Sequence, residues 1–199
     1  SKLLIKTQIA LFELNRKIES SAEQEEEQKE EEYANTPFKI AKQKLDEIEA
    51  EMESSVRACP PLIYSRYHFV CSRLWKSQQN GNELPSDISW AAMFYKHAMS
   101  YLGYTALNQI ENTLQWANDI ALTALIAPDF YDFGELSLHP IMKALADSEQ
   151  QWVLDIVNAY IEADISAYTT VMSKYSDQVK ANDILRTAKP TNILKEKIK

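Results

Sequence analysis

Apolar side chains recur in this sequence at alternating steps of three and four residues, which places them on one face of an α-helix. The longest run has steps of 3, 4, 3, 4 and 3 and consists of Leu107, Ile110, Leu114, Ala117, Ala121 and Ala124. A second run follows Thr36-Pro37, a cap residue with proline at the first helical position, and consists of Phe38, Ala41, Leu45, Ile48 and Met52. Only 3 of the 199 residues are glycine, and no alternating run indicates a strand. The spacing predicts an all-α chain.

The same spacing predicts the extent of each helix and how the helices pack. Helices are expected over about 2–19, 37–56, 61–78, 87–102, 105–127, 140–146, 149–162, 165–175 and 178–198. Thr105 is placed as the cap of the fifth of these, and Pro128 ends it. The connections are short and each helix has one apolar stripe, so consecutive helices should form antiparallel hairpins that stack on each other. No crisp repeat consensus is present, and the prediction is a degenerate, right-handed, TPR-like solenoid.

The net charge of −8 belongs to one segment of the chain. Residues 20–54 contain 12 acidic and 4 basic side chains, so the remaining 17 of each sign cancel. No basic stripe remains that would attract a phosphate backbone, which argues against nucleic-acid binding. The run at 23–32 holds seven glutamates and has no apolar face, so an acidic insertion at about 20–35 is predicted to be solvated. An acidic docking tail for a basic partner is the less favoured alternative.

The cysteines and the hydropathy pattern indicate a soluble intracellular protein. Cys59 and Cys71 have no ligand or redox-motif neighbours and are predicted to be buried thiols. No apolar run approaches the roughly 20 residues needed to span a bilayer. Because the chain starts at Ser1 and ends in an uninterrupted helical pattern, both ends are interpreted as cuts through a longer protein.

The triplet Asp132-Phe133-Gly134 spells the metal-binding motif of protein kinases. Phosphoryl transfer also needs a glycine-rich loop, a strand lysine and a loop that carries the base, and the sequence has none of these. Asp129 and Asp132 could otherwise form half of an aspartate-rich magnesium site. A hard cation needs further carboxylates from a second helix, so helix capping is favoured and an α-helical magnesium-dependent enzyme is a distant alternative.

The histidines and the aromatic residues also favour structural roles. His68, His97 and His139 stand alone in the sequence without metal-ligand or nucleophile spacing. His68 and His97 are predicted to be surface or half-buried, hydrogen-bonded groups, and His139 to belong to a helix start. Nine aromatic residues lie between Tyr64 and Tyr104, where packing between helices is favoured over a peptide-binding groove. The sequence predicts no catalytic residue, no metal site and no cofactor.

The stretch around the kinase-like triplet is predicted to be a joint between helices. Asp132 and Glu135 are spaced as a cap and its third helical residue. Leu136 and Leu138 are then expected to pack, and Pro140 to begin the next helix. Position 134 is expected to require a glycine because another helix approaches the backbone closely there.

Residues 131–168 resemble the PCI-domain subunits of the proteasome regulatory-particle lid. The motif that carries the resemblance consists of Asp132, Phe133, Gly134, Glu135, Leu136, His139, Pro140, Gln151 and Trp152, supported by Ile141 and Leu145. The stretch from Met93 to Tyr104 is similar to the helical repeats of that family. Glu162-Ala163-Asp164 departs from the family pattern because its turn lacks a glycine.

The resemblance implies a division of the chain and a role. Residues 1–128 would form TPR-like repeats with the acidic insertion, and residues 129–199 the helical part of a PCI domain, ending before its winged helix. The implied role is a non-catalytic, cytoplasmic and nuclear scaffold in ubiquitin-dependent degradation. Its implied partners are the fifth PCI lid subunit in yeast numbering and the ubiquitin receptor with a von Willebrand A domain. A PCI subunit of the signalosome or of a translation initiation factor complex is the nearer alternative.

Overall fold

The protein is described by a computed structural model at residues 6, 7, 10, 36–55, 59–80, 89–128, 130, 132–162 and 165–187. Every regular element in these ranges is a helix, which confirms the predicted all-α stack. The α-helices are α1 Pro37–Glu53, α2 Pro61–Ser77, α3 Ser89–Tyr104, α4 Thr113–Ile126, α5 Phe133–Leu138, α6 Gln151–Ile161, α7 Ile165–Lys174, α8 Ser176–Ala181 and α9 Asp183–Thr187. Short 3-10 helices cover Gln78–Asn80, Leu107–Gln109 and Pro140–Ala144.

Two sequence predictions lie largely outside the described residues. Of the helix predicted at 2–19, only Lys6, Thr7 and Ala10 are described, and they are helical. The acidic segment 20–35 lies entirely outside, so its solvated state stays a prediction. Among the helices that are described, none is long and apolar enough to cross a membrane.

Helix α1 begins as the sequence predicts. Thr36 is the N-cap, and its Oγ1 accepts a hydrogen bond from the Lys39 N–H at 3.4 Å. Pro37 occupies the first helical position, where its missing N–H costs no hydrogen bond. The apolar stripe buries Leu45, Ile48 and Met52 against α2. The predicted start of this helix and its inward face are confirmed.

Helices α2 and α3 form an antiparallel hairpin packed through aromatic rings. The Tyr64 ring stacks on Tyr104 with centroids 5.0 Å apart, and His68, further along α2, lies beside His97, earlier in α3. The residue numbers of the contacting side chains decrease along α3 as they increase along α2, which shows that the two helices are antiparallel. Phe69 packs 5.4 Å from Tyr101 across the same interface. The aromatic residues serve inter-helix packing, as the sequence favoured.

Helix α4 starts later than predicted. Instead of one helix from residue 105, the chain makes the 3-10 turn Leu107–Gln109, and Asn112 then adopts a left-handed conformation with φ 55° and ψ 46°. A residue in that conformation interrupts a right-handed helix, so α4 can begin only at Thr113. Thr105 is therefore not a helix cap, and its Oγ1 lies 2.8 Å from the Ser65 Oγ in α2.

The described residues form two apolar cores of unequal size. The first core lies between α1 and α2 and includes Cys59 and Cys71, both buried and free, as predicted. The second core runs from Trp90 in α3 to Leu185 in α9 and therefore continues across the boundary predicted at 128–129. Phe69 of α2 packs against both cores and joins them.

Beyond α4, three later elements pack against α4. The 3-10 helix Pro140–Ala144, α6 and α9 each contact α4. The predicted helix 178–198 is broken at Asn182, an extended residue between α8 and α9. Its Oδ1 accepts a hydrogen bond from the Leu185 N–H at 3.1 Å and so caps the new helix. Helix α4 consequently lies at the centre of the second core.

Candidate functional site

The kinase-like triplet forms the start of the short helix α5. The Oδ1 of Asp132 accepts a hydrogen bond from the Glu135 N–H at 3.1 Å, so this carboxylate caps a helix as predicted. Asp129 lies outside the described residues. Within the described ranges, no three His, Cys, Asp or Glu side chains lie close enough together to hold a metal ion.

Two expectations about the joint are wrong. Among the described residues, a Cβ built at Gly134 would meet only the Asp132 Oδ1, at 3.6 Å, so no described helix approaches this position closely. Leu136 is fully buried as expected, but Leu138 is 84% exposed. Residues two positions apart on a helix are separated by about 200° around its axis, so their side chains lie on nearly opposite faces. The short helix α5 can bury only one of these leucines.

The joint is held to the rest of the fold by an aromatic ring and a histidine. Phe133 is buried and stacks on Tyr160 of α6 with centroids 5.0 Å apart. The Nδ1 of His139 accepts a hydrogen bond from the Ile141 N–H at 3.3 Å, and Pro140 begins the 3-10 helix. Burial lowers the pKa of His139, which favours the neutral ring that can accept this bond. His139 and Pro140 therefore start a helix, although a 3-10 helix instead of an α-helix.

The remaining motif pair, Gln151 and Trp152, opens α6. The Gln151 side chain accepts a hydrogen bond from the Asp147 N–H and donates one to the Asp155 Oδ1, both at 2.9 Å. Burial raises the pKa of Asp155, but hydrogen bonds from Tyr175 and Gln151 outweigh it and hold that pKa below its ordinary value. Trp152 is buried in the second core. These contacts organise structure, and a family-motif role for these residues stays a prediction.

His68 and His97 are hydrogen-bonded, as predicted, and the partner of each is the other histidine, although they stand apart in the sequence. Their Nδ1 atoms lie 3.0 Å apart across the α2–α3 hairpin, so one ring donates and the other accepts. Tyr67 packs edge-on against both rings. His97 is buried, and His68 is half-buried. The contact requires that at least one of the two rings carries no proton on its Nδ1, so that this nitrogen can accept the hydrogen bond.

Burial is the main cause of the unusual acidity of this pair. Burial first, and then the neighbouring His68 and Lys96, together lower the pKa of His97 to about 4. Burial also lowers the pKa of His68, partly opposed by Glu49 of α1. Both rings are therefore neutral at pH 7 and protonation opposes the packed hairpin.

A second polar contact crosses from α2 to α4. The Lys76 Nζ forms an ion pair with the Asp119 Oδ2, and the Gln115 Nε2 donates to Asp119 Oδ1 at 2.9 Å. Asp119 is 7% exposed, so its charge depends on these partners. Lys76 also lies 6.0 Å from the ring centroid of Phe94.

This ion pair forms one wall of an open cleft of about 400 Å³ where α2, α3 and α4 meet. The cleft is also lined by Arg73 and by the rings of Phe94 and Trp116. Arg73 is exposed and makes no ion pair or hydrogen bond with other described residues. Because Lys76 and Asp119 neutralise each other, Arg73 leaves this end of the cleft positive.

Sequence reasoning missed both polar contacts, but one of them had a signal. Asp119 stands inside the apolar run from Ala117 to Ala124, where a charged side chain needs a partner. Its partner Lys76 lies 43 positions away, and the two histidines are 29 positions apart. Such partners become visible only when the register of the hairpins is known.

Comparisons with known proteins place the chain in a family. The family model described as PSD13 N-terminal repeats matches residues 6–157. The chain belongs to the PSD13 N-terminal repeat family. The match crosses the division predicted at 128–129, which stays a prediction.

Relatives of this chain from three distant organisms have names that describe the same kind of protein. The chain is 29% identical over 183 residues to 26S proteasome non-ATPase regulatory subunit 13 homolog B of Arabidopsis thaliana, covering 91% of this chain and 40% of that protein. It is 28% identical over 133 residues to 26S proteasome non-ATPase regulatory subunit 13 of Dictyostelium discoideum, covering 66% and 32%. It is 25% identical over 163 residues to 26S proteasome regulatory subunit RPN9 of Saccharomyces cerevisiae, covering 79% and 37%. The chain spans two fifths or less of these relatives.

Proposed function

We propose that this chain is the helical-repeat part of a non-catalytic scaffold subunit of the proteasome regulatory-particle lid, acting in ubiquitin-dependent protein degradation. The observation that carries the proposal is the family match over residues 6–157, together with relatives named as proteasome regulatory subunits. The helical stack supports it because such stacks present long, rigid surfaces to partner proteins.

The polar side chains also support a structural role. Asp132 caps α5, Asp119 is neutralised by Lys76, and His68 is bound to His97. Each of these three side chains is used by a contact within the fold.

The proposed partners are the fifth PCI lid subunit in yeast numbering and the ubiquitin receptor with a von Willebrand A domain. The proposed location follows that of the assembly and is cytoplasmic and nuclear. The exposed polar faces of the helices leave room for such contacts, since α1 buries only one stripe of its surface.

Affinity purification of the full-length protein, followed by mass spectrometry, tests this proposal. We expect the lid subunits in stoichiometric amounts, and a tagged variant carrying Leu136→Asp in the second core should lose them. Recovery of signalosome or initiation-factor subunits in their place would contradict the proposal. Magnesium titration by calorimetry addresses the enzyme alternative, which requires tight binding that Asp132→Ala abolishes.

A further inference from the structure

The cleft beside the Lys76–Asp119 ion pair, hereafter the Arg73 cleft, carries more positive than negative charge. Arg73 and Lys76 lie three positions apart on α2, so they share one face of that helix. Asp119 is the only acidic residue among the described residues that line the cleft. Its carboxylate is paired with Lys76, whereas Arg73 makes no ion pair with another described residue. The guanidinium of Arg73 is therefore exposed and available to a carboxylate from outside.

The charge of the cleft contrasts with that of the molecule as a whole. The chain has a net charge of −8, and α2 contains Arg66, Arg73 and Lys76 but no acidic residue. A protein of net negative charge repels acidic partners, so a local excess of cations determines where such a partner can dock. Charge complementarity thus favours an acidic partner at the Arg73 cleft.

An aromatic ring that is held in place lines the cleft beside this cation. The ring centroid of the half-buried Trp116 lies 5.0 Å from that of Tyr101, 6.0 Å from that of Phe69 and 6.3 Å from that of Phe94. A side chain that is already ordered loses little conformational freedom when a partner covers it. Tryptophan and arginine are also the residues that most often anchor protein–protein interfaces. The Arg73 cleft combines both.

We propose that the Arg73 cleft is a docking site for an acidic segment of a partner protein. An Asp or Glu carboxylate of the segment binds Arg73, and a neighbouring apolar side chain packs on Trp116. The guanidinium can donate to both carboxylate oxygens at once. The Lys76 ammonium has three N–H donors and uses one of them for Asp119, so it can add a donor to the same carboxylate. The inference rests on the scaffold function, since it assigns one contact surface to a partner subunit.

Photo-crosslinking within the purified assembly identifies the occupant of the cleft. The photoreactive amino acid benzoylphenylalanine replaces Gln79, which lines the cleft, in the full-length protein. The matched control carries it at Arg66, an exposed position two turns before Arg73 that lies outside the cleft. Mass spectrometry after irradiation should find crosslinks from position 79 to one partner subunit, at an Asp or Glu beside an apolar residue. The control should not crosslink that segment.

Charge reversal then tests the recognition of the carboxylate. A synthetic, end-capped copy of the crosslinked segment should bind Arg73→Glu at least about tenfold more weakly than the original chain, the loss expected for a charge-assisted hydrogen bond. Arg66→Glu should leave the affinity nearly unchanged. A peptide whose acidic residue is replaced by arginine should regain binding to Arg73→Glu. Circular dichroism melting of each variant separates lost binding from lost folding.

Three results would overturn the proposal. They are the absence of crosslinks from position 79 to another subunit, crosslinking to residues 20–35 of the chain itself, and equal binding of the peptide by Arg73→Glu and the original chain. Any of these, in a preparation that still contains the lid subunits, would reject the docking site and leave the scaffold function standing. Absence of the lid subunits from the preparation of the unsubstituted protein would instead reject the scaffold function.

Discussion

Helices α1 and α4 show how differently the two cores are built. Helix α1 buries three side chains along one stripe and keeps a charged outer face. Helix α4 is buried at Ala117 and at every position from Asp119 to Ile126, so it has no outer face over its last two turns. Stabilisation increases with the apolar area removed from water, so among the described residues the core around α4 is expected to contribute more than the first core.

The polar contacts of the two regions differ in the same way. In α1, Lys42 pairs with Asp46 one turn away at 2.7 Å, and the two side chains are 44% and 56% exposed. In the second region, Lys76 pairs with the buried Asp119 on another helix. Exposed pairs within one helix contribute little, whereas a buried carboxylate depends on its partner. Asp119 stands inside an apolar run of the sequence, whereas Asp46 lies among other charged residues.

The largest effect is expected from truncating the core around α4. Leu125→Ala should lower the free energy of unfolding by about 3–5 kcal/mol, because Leu125 is fully buried and the cavity cannot collapse. Leu45→Ala in α1 is the matched change and should cost about 2–3 kcal/mol, since the thinner first core can relax. Urea denaturation followed by circular dichroism measures both. Equal losses would remove the distinction between the cores.

Acidification should act on the α2–α3 hairpin that joins the two cores. The pKa of His97 in the folded state is about 4, below the ordinary 6.5, so the unfolded chain binds more protons between these values. The contribution of His97 to the free energy of unfolding is therefore fully present above pH 6.5. It is lost as the pH falls towards 4, by at most about 1.4 kcal/mol per pH unit.

The test of this pH dependence compares two proteins over pH 4–7. The double variant His68→Leu/His97→Leu should show a flatter profile of unfolding free energy than the original chain. Carboxylates elsewhere contribute to both proteins equally and cancel in the comparison. Identical slopes in the two profiles would show that the histidine pair does not carry the effect.

Removing the lysine of each ion pair gives a smaller contrast. Lys76→Met leaves the buried Asp119 carboxylate with only Gln115 as a partner among the described residues, and should cost about 2 kcal/mol. Lys42→Met removes an exposed pair and should cost less than about 0.5 kcal/mol. Thermal unfolding of both variants beside the original chain measures the difference. A loss from Lys42→Met as large as that from Lys76→Met would contradict the assigned roles.

The smallest effect is expected at the joint before α6. Gly134→Ala should raise the free energy of unfolding by about 0.5–1 kcal/mol, because alanine favours the helix and its Cβ meets only the Asp132 Oδ1. Asp132→Ala is the matched change and should lower it by about 1 kcal/mol through loss of the cap. Denaturation midpoints give both signs. If Gly134→Ala lowers the free energy of unfolding instead, a helix must approach Gly134 closely.

Local signals predicted much of this fold. Thr36-Pro37 located the start of α1, and Asp132 with Glu135 located the cap of α5, because both depend on neighbours within three positions. The start of α4 was missed because the apolar spacing continues through Leu107 and Ile110. The left-handed Asn112 interrupts the helix there without breaking that spacing.

The candidate sites were less predictable than the helices. The His68–His97 contact and the cleft beside Lys76 and Asp119 join residues from different helices, and their geometry depends on how the helices pack. Burial was also mispredicted within one helix, since Leu138 was expected to pack in the core but is exposed. The resemblance based on nine residues predicted the family without indicating any of these contacts.

Hydrogen–deuterium exchange of the intact chain, read by mass spectrometry, tests most directly whether the core around α4 organises the molecule. Amides of α4 should exchange slowest, at the rate set by global unfolding, and those of α1 should exchange faster through local opening of the first core. The amides of α2, which contributes to both cores, should lie between them. Protection of α1 equal to or greater than that of α4 would contradict this.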